Sequence, residues 1–206
     1  LAGPEWYYMF PSGEMASGFC EIDGKISIFT GDGKWMGYLE DVYNMPAGTV
    51  LTQEMVDISG AYSFFYVEEI SDAVFARMWG KSYKEYCTVP REDLRYIRCL
   101  HKNEEGQIKI GELVMHAAVA DTVCDIFRKL YDADYPIESM LLADDFDASD
   151  DDSIMADNTS AFNFRNVDGT DQISYHAYGL AIDINPYYNV YYIPSENYIF
   201  PPEGYL

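Results

Sequence analysis

The sequence predicts an α+β domain, a small, mostly antiparallel sheet with helices packed on one side, preceded by β-hairpin repeats. Three observations carry that prediction. After His116, the residues Val119, Val123, Ile126, Phe127 and Leu130 recur at spacings of three and four, the period of an amphipathic helix. Before it, residues 94–102 and 107–115 are two strand-like runs around Asn103-Glu104-Glu105-Gly106, a four-residue hairpin loop. Near the start, residues 20 apart pair up in kind: Gly13 with Gly33, Met15 with Trp35, Met9 with Phe29.

Taken in order, residues 1–40 form two degenerate hairpin repeats. The first runs from Trp6-Tyr7-Tyr8 through the turn at Pro11-Ser12-Gly13-Glu14, the second from Ile26-Ser27-Ile28 through the turn at Gly31-Asp32-Gly33-Lys34. Residues 41–60 are expected to be a linker and residues 61–206 the main domain. Ser71 as N-cap and Gly80 after the last turn bracket a short helix burying Val74, Phe75 and Met78. His116 opens the next helix. An imidazolium is disfavoured at that end of the helix dipole, so a capping role is expected there. Pro136 stops any continuation, residues 137–143 are expected as a strand, and residues 180–184 as another. His101, beside the hairpin turn, is expected in solvent.

The chain has 206 residues and a net charge of −22, with 49% hydrophobic residues, enough for a core. Such a charge argues against nucleic acid, because no basic surface is present to displace counterions from phosphates. It also argues against simple electrostatic adhesion to anionic lipid or teichoic acid. No apolar run reaches the ~20 residues of a membrane span, and Leu1-Ala2-Gly3-Pro4 does not open like a signal peptide. The four cysteines lack CxxC spacing, which disfavours a cysteine zinc cluster; Cys87 and Cys99 are a candidate disulfide, and Cys124 a buried free thiol. The acidic run of residues 144–152 lacks the glycine and glutamate of a calcium loop and is expected to be solvated. The tyrosine-rich tail (Tyr187, Tyr188, Tyr191, Tyr192, Tyr198) fits either a groove lining or packing against the sheet.

Residues 174–186, Ser-Tyr-His-Ala-Tyr-Gly-Leu-Ala-Ile-Asp-Ile-Asn-Pro, carry the chemistry. His176 and Asp183 stand seven apart, with Gly179 between them to let the backbone turn or approach closely. Imidazole and carboxylate are the donor mix of a zinc site. Asp183 lies within an apolar run, and a buried carboxylate is costly unless a cation or hydrogen bonds compensate it. It is therefore either a ligand or a residue with a strong structural partner.

This stretch resembles the Ser-x-His-x-x-Gly-x-Ala-x-Asp signature of the D-alanyl-D-alanine carboxypeptidase family of zinc metallopeptidases, the VanY-like enzymes; Ser174, His176, Gly179, Ala181 and Asp183 match every fixed position. The upstream Asn-Thr-Ser-x-Phe-Asn-x-Arg segment, ending at Arg165, is similar to the family's preceding substrate-site strand and loop, and the resemblance covers roughly residues 62–206. It implies that His176 and Asp183 are zinc ligands, that Arg165 holds a substrate carboxylate or the oxyanion, and that Ser174 and Ser160 contact the peptide. The family's third ligand, a histidine, and its acidic general base come from a C-terminal Trp- and Gly-rich segment; the sequence ends at Leu206 before any such segment, so both are expected to lie outside these residues. Asn158-Thr159-Ser160 is a glycosylation sequon, but its place in the implied site loop argues against a glycan.

The N-terminal units resemble the choline-binding-type repeats of exported bacterial hydrolases, whose aromatic side chains cage a quaternary ammonium. Ile26-Ser27-Ile28 replaces the aromatics of the first unit, so a structural remnant is expected before a full cage. Together the resemblances imply a zinc metallopeptidase acting on peptidoglycan stem peptides, outside the cell or on the wall of a Gram-positive-type bacterium. Choline or wall glycan would be a possible second ligand. Two alternatives stay open: a non-catalytic wall-binding protein with an incomplete peptidase fold, and an endopeptidase cutting between L-Ala and D-Glu.

Overall fold

The structure is a computed structural model and describes residues 5–167, 169–195, 197–202 and 204. At the N-terminus, β1 (Gly18–Ile22), β2 (Lys25–Phe29) and β3 (Trp35–Tyr38) form an antiparallel sheet in that order. Asp23 and Gly24, both at positive φ, make the two-residue turn between β1 and β2, a conformation that Asp-Gly tolerates. Two other turns, 20 residues apart, close with the same hydrogen bonds. Phe10 N–H donates to the Glu14 carbonyl (2.8 Å) and Gly13 N–H to that of Phe10 (2.8 Å); Thr30 N–H donates to Lys34 (2.8 Å) and Gly33 N–H to Thr30 (3.0 Å). Gly13 and Gly33 share φ 87°. The 20-residue spacing thus corresponds to a repeated turn geometry, although only the second turn joins two regular strands. Trp6, Tyr7 and Tyr8 meet Phe29, Trp35 and Tyr38 around a cleft of about 230 Å³.

Residues 41–60 do not behave as a linker. They hold the end of α1 (Leu39–Tyr43), then β4 (Val50–Leu51) and α2 (Gln53–Ser59), capped by the Thr52 hydroxyl. Val42, Leu51 and Val56 are buried against Ile28, Leu100 and Ile110. Three apolar anchors dispersed in a polar segment suffice to fasten it to the sheet.

The central sheet adds β5 (Tyr66–Glu69), β6 (Leu94–Lys102) and β7 (Ile108–His116), all antiparallel in the order β4-β7-β6-β5. The long β6–β7 hairpin runs in register from Leu94 opposite His116 to Lys102 opposite Ile108, and closes over the expected loop at Asn103. Between β5 and β6, α3 (Asp72–Met78) starts at Ser71, whose hydroxyl accepts the Val74 N–H, and stops before Gly80. α4 (Ala117–Asp132) lies on one face of the sheet and buries Ala120, Val123, Cys124 and Phe127 against Ile97, Cys99, Leu113 and Met115. Ile126 falls just outside that stripe and is exposed. The opposite face carries Leu94, Tyr96 and Val114, covered by Met78, Tyr83, Phe162 and Phe164. The class is α+β, as expected. Among the described residues no helix is long and apolar enough to cross a membrane.

Several local expectations fail for identifiable reasons. Cys87 packs on the α3 face of the sheet and Cys99 on the α4 face, so no disulfide joins them; all four cysteines are free, and Cys124 is buried as expected. His101 is buried rather than solvated, its Nδ1 2.7 Å from the Ile137 carbonyl; strand alternation turns it inward just before the exposed loop. Residues 137–143 and 180–184 form no strand: Ser139 and Asp183 meet their neighbours through isolated bridges instead of continuous ladders, Ala143 opens a 3₁₀ turn, and Leu180 is exposed. The acidic run is solvated only in part, at Asp145, Asp147, Asp151 and Asp152. Its last three residues open α5 (Asp150–Met155), capped by Ser149, and Asp144 is buried, accepting the N–H and hydroxyl of Ser82 at 2.9 Å each. The tyrosine tail lies partly on a separate hairpin of β8 (Tyr191–Ile193) and β9 (Tyr198–Phe200), where Tyr191, Tyr192 and Tyr198 stay exposed.

Candidate functional site

The site begins with a tight packing requirement. Gly179 is left-handed (φ 65°), and a Cβ there would stand 2.6 Å from the His116 nitrogen. Its carbonyl accepts the His116 N–H at 2.9 Å. The signature glycine thus lets the chain rest directly on the junction between β7 and α4, and His116 also caps α4 through Nδ1, which accepts the Ala118 N–H. Ser174 sets the start of this turn. It is buried, and its Oγ accepts the His176 N–H at 3.2 Å, opening the single turn of 3₁₀ helix at Tyr175–Tyr178. Its hydroxyl is thereby engaged within the chain.

This turn delivers His176, and the extended segment after it delivers Asp183. Ser160 fixes the second: the Ser160 and Asp183 backbones exchange two hydrogen bonds, of 3.1 and 3.0 Å. Nδ1 of His176 lies 2.7 Å from the Ala161 carbonyl, and Nε2 lies 3.3 Å from Oδ2 of Asp183. A carbonyl can only accept, so Nδ1 carries the proton and Nε2 points to the carboxylate. Burial disfavours the charged ring, but the hydrogen bond and charge of Asp183 outweigh it, and the His176 pKa is raised.

His101 shows what the carboxylate contributes. It has the same Nδ1-to-carbonyl spacing of 2.7 Å. There burial dominates, and its pKa falls to about 4. Two histidines with one hydrogen-bond motif therefore move in opposite directions: His101 is the more deeply buried, and His176 has a carboxylate at its second nitrogen.

Arg165 lies beside this pair. Its carbonyl accepts the Ser174 N–H at 3.1 Å, and its charge acts against protonation of His176. Nε is ion-paired with Asp150 Oδ2, and Nη1 donates to the Asn166 carbonyl. Asp150 was hidden in the acidic run; charge patterning alone gave no signal that this one of six aspartates would meet Arg165 at the start of α5. Asn158, Thr159 and Asn163 of the implied site loop are buried, and Asn163 donates to Asp150. Asn158 Nδ2 donates to the Leu141 carbonyl and Ser153 Oγ while Oδ1 accepts from Ser139 and Leu141, which leaves no room for a glycan.

The donor chemistry at His176 and Asp183 fits zinc: a nitrogen fixed by a hydrogen bond from the far side of its ring, beside a partly exposed carboxylate. It would supply two donors. Among the described residues no group of three or more His, Cys, Asp or Glu side chains is arranged to hold a metal ion.

Comparison with known families gives one match. The profile of the D-alanyl-D-alanine carboxypeptidase family matches residues 168–202, a segment that contains Ser174, His176, Gly179, Ala181 and Asp183 but not Arg165 or Ser160. The similarity is to a peptidase family at that level. No curated protein and no solved structure matches the chain.

Proposed function

We propose that the chain is the zinc-dependent peptidase part of a VanY-like D,D-carboxypeptidase that removes terminal D-alanine from peptidoglycan stem peptides. The observation that carries the proposal is the convergence of His176 Nε2 and Asp183 Oδ2 at 3.3 Å, on the segment similar to the carboxypeptidase family. In this reading His176 and Asp183 are two of the zinc ligands, and the bound ion would activate water and polarise the scissile carbonyl. The chain's own residues supply the rest. The Ala161 carbonyl holds the His176 ring in one orientation, and the backbone pairing with Ser160 holds Asp183. Arg165 offers a planar cation to a substrate carboxylate or a developing oxyanion. Ser160 and Ser174 would border the peptide.

A second reading has its own observation. With two donors among the described residues, the fold would bind wall peptide without cutting it. The aromatic cleft at the N-terminus, where Lys25 Nζ stands 4.6 Å from the Tyr38 ring centre, would then be the place for choline or a wall sugar. Both readings put the protein outside the cell or on the wall.

The experiment is to load the protein with zinc, remove excess metal and incubate it with a stem pentapeptide ending in D-Ala-D-Ala. Mass spectrometry should show loss of one alanine in the wild type and no loss in Asp183→Ala. Zinc retained by the wild type with intact peptide would favour the binding reading. Cleavage at L-Ala-D-Glu would reassign the bond while keeping the peptidase. Equal zinc retention by wild type and Asp183→Ala would overturn the ligand assignment.

A further inference from the structure

Nothing in the sequence marks Asp150 apart from Asp151 and Asp152, yet its surroundings differ from theirs. Asp151 and Asp152 are exposed, whereas Asp150 is half-buried against Arg165 and Asn163. Each of its oxygens has its own partner: Oδ2 pairs with Nε of Arg165, and Oδ1 accepts from Nδ2 of Asn163 at 3.0 Å. Asn163 is itself buried and tied at both ends. Its Nδ2 also donates to the Ala148 carbonyl at 3.1 Å, and its backbone N–H donates to the His176 carbonyl at 3.2 Å.

A continuous connection therefore runs from the backbone of the His176 turn through Asn163 and Asp150 to the Arg165 guanidinium. A free arginine samples many rotamers, and fixing it before a ligand arrives removes that entropy cost from binding. Asp150 is ion-paired at Nε, the side position of the planar fork, whose N–H is buried without an aligned hydrogen-bond acceptor, and the Asn166 carbonyl takes one hydrogen of Nη1. The remaining N–H groups of both terminal nitrogens stay available to an anion.

We infer that Asp150, held by Asn163, is the positioning residue that fixes Arg165 as an anion receptor beside the His176–Asp183 pair. The inference rests on the proposed role of Arg165 in binding a substrate carboxylate. A competing consequence of the same contact is that Asp150 occupies the arginine and must be displaced by substrate. The two make opposite predictions.

The test uses the whole chain and two readouts. The first is the Arg165 Nε–H resonance, assigned by its absence in Arg165→Lys; because Nε is buried in the ion pair, it should be slow to exchange in the wild type, lost to fast exchange in Asp150→Asn, and regained in Asp150→Glu. The second is titration with N-acetyl-D-alanine, a minimal carboxylate probe. Asp150→Asn should bind it about tenfold more weakly, with partial recovery in Asp150→Glu. Asp151→Asn, which makes the same charge change on α5 without touching Arg165, should bind as the wild type does. An unchanged Nε–H signal in Asp150→Asn overturns the positioning role, as does equal or tighter binding of the probe, tighter binding identifying Asp150 as an internal competitor. A wild type with a protected Nε–H that ignores the probe overturns instead the reading of Arg165 as a carboxylate receptor.

Discussion

Two clusters of charge in this molecule use the same chemistry and end in opposite states. On the α3 face of the sheet, Glu112 is fully buried and completely engaged: both its oxygens bond to Arg77 and one also accepts the Tyr96 hydroxyl at 2.8 Å. Its strand partner Arg98 is buried beside it and reaches the Met45 carbonyl. Glu112 raises the Arg77 pKa, mainly through its hydrogen bonds, and burial raises that of Tyr96. At the other cluster, Asp183 is 44% exposed and Arg165 31%, with donor and acceptor positions left over. A carboxylate saturated in the interior holds elements in register, although Nε of Arg98 beside it has no acceptor; a pair left partly open at the surface keeps capacity for a ligand. The unfilled capacity, more than the presence of charge, marks the candidate site.

The largest effect that would break this comparison is at Glu112. Glu112→Ala removes the acceptor for Arg77 and Tyr96 and leaves Arg98 without a neighbouring carboxylate, so unfolding free energy should fall by about 3 kcal/mol or more. Denaturant unfolding measures it. A loss under about 1 kcal/mol would mean the buried network contributes no more than an exposed ion pair, and the contrast between the clusters would not hold.

The contrast also accounts for what the sequence disclosed. The β6–β7 hairpin and α4 were legible because each is defined by its own periodicity and bounded by its own turn or cap. His176, Gly179 and Asp183 were legible because they lie within ten residues of one another. Asp150 and Asn163 were not: their partnership with Arg165 depends on how α5 packs, and an acidic run looks solvated unless one knows that a buried arginine edge awaits it. Residues 41–60 and His101 failed for a related reason. Their burial is set by tertiary contacts to the sheet, with Leu51 and Val56 on one side and the Ile137 carbonyl on the other, and local polarity concealed it. Residues 137–143 and 180–184 satisfy their backbones with scattered bonds and isolated bridges, which alternation of side chains does not encode.

The two histidines sharpen the comparison at an intermediate magnitude. His101 has a folded-state pKa of about 4 against 6.5 when unexposed to the fold, so the folded chain binds fewer protons there than the unfolded chain. Its contribution to stability is complete above pH 6.5 and is lost as pH falls toward 4. The ceiling is the shift of about 2.5 pH units, or about 3 kcal/mol. Wild-type stability should therefore drop across that window more steeply than that of His101→Asn, measured by urea unfolding at a series of pH values. Parallel slopes would place solvent at His101 and remove it as the buried counterpart of His176.

The smallest expected effect falls on the site itself. Asp183 is partly exposed, and among the described residues its side chain pairs with His176 at 3.3 Å, so Asp183→Asn should change unfolding free energy by less than about 1 kcal/mol. The same substitution should abolish zinc retention, because an amide is a weak ligand beside a single imidazole. Equilibrium dialysis and denaturant unfolding on one preparation read both quantities. A small stability change with lost metal is what a ligand-binding cluster predicts. A loss of 2 kcal/mol or more with metal binding unchanged would show that Asp183 answers the cost of its apolar surroundings by pairing with His176, as Glu112 does with Arg77. The two clusters would then be of one kind, and the chemistry of this protein would have to be sought elsewhere on its surface.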